Sequence, residues 1–212
     1  MPPVWTRIFG ARPKQPQLHE IVRHFNEAAV DEENFPSTID SRIYHVQLIL
    51  EHFGDLTGKR ILDVGSGKGR FARVLFERYP AASIVAFDLA EAMLRHVPAG
   101  IRPCAGSMTA LPFASAQFDC AYATESLEHA VDIDAAVAEM CRVVKPGGRI
   151  VIIDKNVEQW GRLKTPEWEQ WFGRKQLEKM LARHCRSVSS RPISYWEDVA
   201  PDGLFLAWLA EK

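Results

Sequence analysis

Apolar positions along the chain switch between two periods. Short, nearly continuous apolar runs stand at Arg60–Val64 (RILDV), Ser83–Phe87 (SIVAF), Ile101–Cys104, Phe118–Thr124 (FDCAYAT) and residues 149–153 (RIVII). Runs of this length and polarity predict strands buried on both faces. Helical spacing appears between and after them. Phe71, Val74 and Leu75 mark a helix over 70–79, 90–97 reads as a short helix, and Ala136, Val137, Met140, Val143 and Val144 mark 133–144. A further helix is predicted over 174–184. Strand and helix in alternation predict parallel pairing. Upstream, Ile21, Val22, Phe25 and Ala29 share one face of a helix over 18–34. After Pro36, Asp40 or Ser41 is expected to cap a second helix ending near His52, striped by Ile43, Val46, Leu48, Ile49 and Leu50. Two last strands, near 186–195 and 203–210, flank Pro201-Asp202-Gly203 and predict an antiparallel hairpin. The expected class is α/β, with a seven-stranded, mostly parallel sheet.

Composition narrows this little. The 212 residues are 47% apolar and 25% charged, values ordinary for one globular unit. The whole of 1–212 is therefore expected to be a single domain. Within it, 1–17 reads as a flexible tail, 18–53 as cap helices and 157–173 as an insertion on the substrate side. A formal net charge of −1 and the lack of a basic stripe argue against a nucleic-acid partner. Cys104, Cys120, Cys141 and Cys185 show no C-x-x-C spacing and are read as small buried hydrophobes in a reducing compartment. With no membrane-length apolar run and no signal-peptide pattern, a cytoplasmic location is expected. Trp5, Ile8 and Phe9 beside Arg7 and Arg12 leave a peripheral membrane contact open, against the plainer reading of a tail.

The chemistry starts at residues 60–71, RILDVGSGKGRF. A strand leads to Gly65, Gly67 and Gly69, alternating with Ser66 and Lys68, and a helix follows. Such a turn exposes backbone N–H groups to an anionic ligand. A triphosphate loop needs Gly-Lys followed by Ser or Thr, and here Gly69 follows Lys68. Asp88 closes the second strand, where an acid can accept from both ribose hydroxyls.

The D-x-G-x-G-x-G turn from Asp63 resembles motif I of the class I S-adenosylmethionine (SAM) dependent methyltransferases. GSMTALPF (106–113), FDCAYATESLEH (118–129) and RVVKPGGRIVI (142–152) follow in the order found in the small-molecule branch that includes the ubiquinone-biosynthesis enzymes. The resemblance covers about residues 40–155. It implies a Rossmann-like fold and SAM as cofactor, leaving as S-adenosylhomocysteine. It further implies that Asp63, Gly65, Ser66, Gly67 and Gly69 hold the methionine moiety, and that Asp88 with Leu89 holds the ribose. Ser107 and Met108 flank the adenine where the family usually has an acid. Thr124 reaches the same sheet edge. Arg42 is a candidate for the cofactor carboxylate and Tyr44 for the acceptor pocket wall.

Glu125-Ser126-Leu127-Glu128-His129 reads E-x-x-E-H. On a helix, Glu125, Glu128 and His129 share a face. Two carboxylates and an imidazole suit magnesium, manganese or zinc. The pattern resembles two metal-dependent groups, the ubiquinone-pathway O-methyltransferases acting on catechol rings and, less in keeping with the missing basic stripe, the small-RNA terminal 2′-O-methyltransferases, with Asn156 or Asp154 placed to complete the ligands. The same tripeptide also occurs in this branch without metal. The expected activity is methylation of a small molecule, at oxygen first, with His129 as ligand or general base. A metal-independent N- or C-methyltransferase is the alternative, and a non-catalytic SAM-binding protein a more distant one. Trp160, Trp168, Trp171 and Phe172 of the insertion are candidates for stacking on the acceptor.

Overall fold

The computed structural model describes residues 17–212; the tail reading, with Trp5, Ile8 and Phe9, falls outside the described residues. The elements in order are α1 (Leu18–Ala28), α2 (Tyr44–Phe53), β1 (Arg60–Val64), α3 (Arg70–Arg78), β2 (Ser83–Asp88), α4 (Glu91–Leu94), β3 (Arg102–Ala105), β4 (Phe118–Thr124), α5 (Ile133–Val143), β5 (Val144–Lys155), α6 (Arg174–Leu181), β6 (Ser187–Ile193) and β7 (Phe205–Glu211). The seven strands form one sheet in the order β3-β2-β1-β4-β5-β7-β6. β3 through β5 are parallel. β7 runs antiparallel between β5 and β6.

The apolar runs divide by parity between the two faces. Leu62, Val64, Val85, Phe87, Ala121 and Ala123 join α5 and α6 in one core cluster. Ile61, Ile84, Ala86, Cys120, Tyr122 and Val151 join α2 and α3 in the other. This is the period of two expected of a sheet covered on both faces. The cap adds a third and much smaller cluster, Ala29, Ala90 and Met93, with Phe25 and Phe35 against it.

Several boundaries differ from the sequence expectation, each for a local reason. α1 stops at Ala28, not near 34, because the Asp31 carboxylate accepts from the Glu33 and Asn34 amides and makes a turn instead. α2 starts at Tyr44 with no side-chain cap, because Asp40 is spent on Arg42. β5 begins at Val144 and absorbs the KPGG stretch. The expected hairpin exists, but a long loop over 194–204 joins its strands. Asp202 in that loop binds Arg162 of the insertion.

Candidate active site

A cavity of about 310 Å³ opens at the carboxyl edge of β1, β2 and β4, under α1 and the 34–36 segment. Its floor on one side is the glycine turn. Gly65 has φ +73, and a Cβ there would sit 2.3 Å from the Ser126 Cβ, so the turn and the end of β4 touch only because Gly65 has no side chain. Gly67 has φ +53, and a Cβ there meets nothing within 4 Å. Its N–H donates to Asp88 Oδ2 at 2.7 Å, while Asp88 Oδ1 accepts from Ala90 N at 2.8 Å. Each carboxylate oxygen keeps a further lone pair for a ligand hydroxyl. Ser66 is buried and its hydroxyl has no partner.

Asp88, Leu89, Ser107, Met108, Thr124, Gly65, Ser66 and Gly67 all line this cavity. Asp63 and Gly69 do not. Asp63 lies one layer behind, buried opposite Tyr122 on β4. Burial pushes its carboxyl up to about 8. Gly69 is the left-handed residue that starts α3. Arg42 is far from its expected place: its side chain is 81% exposed and pairs with Asp40 at 2.6 Å. Tyr44 is partly buried against the α2–α3 core and is not among the cavity residues.

The E-x-x-E-H segment does not form the expected helix face. Glu125 has φ +50, and only Leu127–His129 makes a single 3-10 turn. The residues are therefore split. Glu125 turns to Arg70 at 3.3 Å and to the Tyr195 hydroxyl at 3.0 Å. Glu128 points into a fully buried cluster, where its Oε1 is bound by the Lys155 ammonium and its N–H donates to Asp154 Oδ2 at 3.2 Å. Asn156 is absent from that cluster. Its side chain binds Gly203 O and Glu158 N instead.

The residues that do converge are Glu128, His129 and Glu169. His129 Nε2 lies 3.6 Å from Glu128 Oε1 and 3.9 Å from Glu169 Oε1. Glu169 Oε2 accepts from Trp171 Nε1 at 2.7 Å and lies 3.6 Å from Lys155 Nζ. Three acids therefore surround one lysine. Burial raises the Glu128 carboxyl well above its usual range, and Asp154 adds to this. Burial alone would lower the Lys155 ammonium, but Glu128, Asp154 and Glu169 outweigh it and raise it. Burial lowers the His129 imidazole to about 3, helped by Lys155 and His24, so the ring is neutral at neutral pH.

Sequence reasoning missed Lys68, Arg70, Lys155 and Glu169. Lys68 is buried and reaches across to Glu32 Oε1 at 2.6 Å, tying the cap to the glycine turn. Glu169 comes from the tryptophan-rich insertion, but the rings do not line the cavity. Trp171 and Phe172 pack inward, and Trp168 stands edge-on to His24. The insertion contributes Pro166 and Glu169 to the cavity. The ring that does approach His129 is Phe25 of α1, at 4.9 Å between centroids.

A family model described as a methyltransferase domain matches residues 62–152. Demethylmenaquinone methyltransferase of Streptomyces avermitilis is 30% identical over 196 residues, covering 86% of this chain and 77% of that protein. The chain belongs to the SAM-dependent methyltransferases. Malonyl-[acyl-carrier protein] O-methyltransferase of Methylococcus capsulatus is 37% identical over 97 residues, 43% of this chain and 35% of that protein. The chain spans 35–61% of the length of several curated relatives. Among solved structures, the [4+2]-cyclase SpnF superposes with a TM-score of 0.73 at 17% identity, covering 93% of this chain and 96% of that one. That likeness concerns the fold alone. The SAM-dependent methyltransferases to which the chain belongs need a place for an adenosine and an amino acid at one sheet edge. The glycine turn, the Asp88 lone pairs and the unpartnered Ser66 hydroxyl fit that group.

Proposed function

We propose that this methyltransferase acts on a small-molecule acceptor at oxygen, with His129 taking the acceptor proton and no resident divalent metal. The observation that carries this reading is the juxtaposition, in one cavity, of the glycine turn with Asp88 and of neutral His129 between Glu128 and Glu169. SAM supplies an electrophilic methyl on a sulfonium, and the breaking S–C bond leaves its electron pair on sulfur. The chain's residues supply the rest. The cap and Phe25 keep water from the acceptor, and much of the rate comes from holding the acceptor oxygen in line. The neutral imidazole accepts the hydroxyl proton as the oxygen–methyl bond forms, when that proton is acidic enough for so weak a base, and the imidazolium so formed lies beside two carboxyl groups. Lys155 already supplies the cationic centre that the acids require, which favours the metal-free form over the metal-assisted one. The oxygen acceptor is also the one named for the Methylococcus relative.

The test is methyl transfer from labelled SAM to a panel of phenols, carboxylic acids and amines, with product structures assigned by mass spectrometry. O-methyl products, unchanged by a chelator and reduced about 10²- to 10⁴-fold in His129→Ala, are expected. Products carrying the methyl only on nitrogen or carbon, or full activity in His129→Ala, would overturn the reading.

A further inference from the structure

Two of the four cysteines, which carry no motif spacing in the sequence, are brought together by the fold. Cys141 lies in the last turn of α5, and Cys185 lies just past α6, in the turn to β6. Their Sγ atoms are 3.8 Å apart although the residues are 44 positions apart. Cys141 is fully buried in the core between helices and sheet, and Cys185 is half-buried against the same core. The backbone at Cys185 is fixed, because its N–H donates to Leu181 O at 2.9 Å. Neither residue lines the cavity of the candidate active site.

We propose that Cys141 and Cys185 form a redox-modification site, a thiol pair that a hydroperoxide closes to a disulfide within the native fold. The geometry divides the roles. Cys185 is the sulfur that solvent reaches, so it meets the oxidant first. Cys141 waits behind it, shielded from solvent and in contact with the sulfur it would attack. A disulfide needs the sulfurs at about 2.05 Å. The remaining gap lies within the sweep of a thiol turning about its Cα–Cβ bond, so the helices need little adjustment.

The local electrostatics agree with these roles. The hydrogen bond with Cys141 lowers the Cys185 thiol, burial opposes this, and the Lys212 ammonium adds to the lowering. Lys212 is held at the end of α5 by donating to Val144 O at 2.7 Å and Arg142 O at 3.3 Å. The same sulfur contact, with burial, raises Cys141. The other two cysteines serve as internal controls. Cys120 is buried on β4 and burial pushes its thiol up to about 11, and burial also raises Cys104 on β3.

The chemistry balances in two steps. The Cys185 thiolate attacks one peroxide oxygen, the O–O bond breaks, and the departing oxygen takes a proton and leaves as an alcohol, or as water from hydrogen peroxide. Cys185 is now a sulfenic acid. Cys141 then attacks the Cys185 sulfur, the S–O bond breaks, and the hydroxide takes the Cys141 proton and leaves as water. Two thiols have given two electrons to the peroxide.

Peptide mapping by mass spectrometry of the full chain treated with hydrogen peroxide tests this. The oxidised protein is expected to be about 2 Da lighter, with a Cys141–Cys185 cross-linked peptide that dithiothreitol reverses, while Cys104 and Cys120 remain open to alkylation after unfolding. In Cys141→Ala, a dimedone probe should trap a sulfenic acid on Cys185. In Cys185→Ser, Cys141 should react at least about 10-fold more slowly than Cys185 does in wild type. The cross-linked protein should melt roughly 5–15 °C above the reduced one, since the bond constrains a long loop of the unfolded chain. Peroxide that oxidises Cys104 or Cys120 while leaving Cys141 and Cys185 as thiols overturns the inference. So does a cross-linked protein that melts below the reduced one, because the native fold then does not accommodate the bond.

Discussion

At the scale of single residues, the site is governed by what burial does to charge. Asp63 shows the sign most simply. Its carboxyl is raised to about 8 in the folded chain against an ordinary value of 3.8. Between those values the folded state holds a proton that the unfolded state has lost, so this residue makes stability fall as pH rises. Asp63→Asn should therefore melt progressively higher than wild type as pH goes from 5 to 8.5. A constant difference across that range would disprove the raised carboxyl. Lys155 is the complementary case. Replacing it with Met strands Glu128 and Asp154 without a cation and should cost about 3–5 kcal/mol in denaturant unfolding. Because protonation can neutralise the stranded acids, the cost should shrink at pH 6, and Lys155→Met with Glu128→Gln should recover part of it. Neither residue announces its role in sequence. Asp63 reads as a ligand because it precedes the glycines, yet the strand points it behind them. Lys155 reads as the polar end of a strand, and only the packing of Glu128 and Glu169 around it reveals a buried ion cluster.

At the scale of elements, the cap and the insertion are the parts most able to move. α1 and the 29–36 turn rest on the Ala29, Ala90 and Met93 cluster, on Asn26 accepting from Ala92 N, and on the Lys68–Glu32 pair. Segments with so few buried contacts open at lower free energy than the core. Glu32→Gln should raise hydrogen exchange in the 29–37 amides several-fold while leaving the amides of β1, β4 and β5 protected. Uniform exchange across all of them would mean that the pair supports the whole fold and not the cap. The Lys68 ammonium holds the Glu32 carboxyl down to about 2, so this latch persists through mildly acidic pH. The strands and crossovers were legible because apolar runs and helix spacing are local signals. The shared face that the E-x-x-E-H spacing would give on a helix is absent for the opposite reason. The segment's shape is set by contacts distant in sequence, Gly65 against Ser126 and Ile153 O on Glu125 N.

At the scale of the whole molecule, ligand and metal make opposite predictions. A ligand that binds only the folded state at about 100 times its dissociation constant adds roughly 2.7 kcal/mol. For a chain of this size, S-adenosylhomocysteine should then raise the melting temperature by roughly 5–10 °C. A chelator such as EDTA should leave the melting temperature unchanged, because Lys155 neutralises the acids that a cation would otherwise need to hold. A marked chelator-induced fall would restore the metal reading of Glu128, His129 and Glu169. Among the described residues no helix is long and apolar enough to cross a membrane.

The sequence by itself determined the order of strands and helices, the glycine turn, Asp88 at the end of β2 and the family to which the chain belongs. Each of these is written in neighbouring residues, through periodicity, turn chemistry or a contiguous motif. Only the tertiary structure decided which charges meet. It took Arg42 to the surface, put Arg70 and Glu125 together, turned Asn156 away, and drew Glu169 from the insertion to His129. These pairings join residues that lie tens of positions apart in the chain, and burial then sets their protonation. Neither distance nor burial is carried by the local pattern, which is why the glycine turn could be read in advance and the buried charge cluster could not.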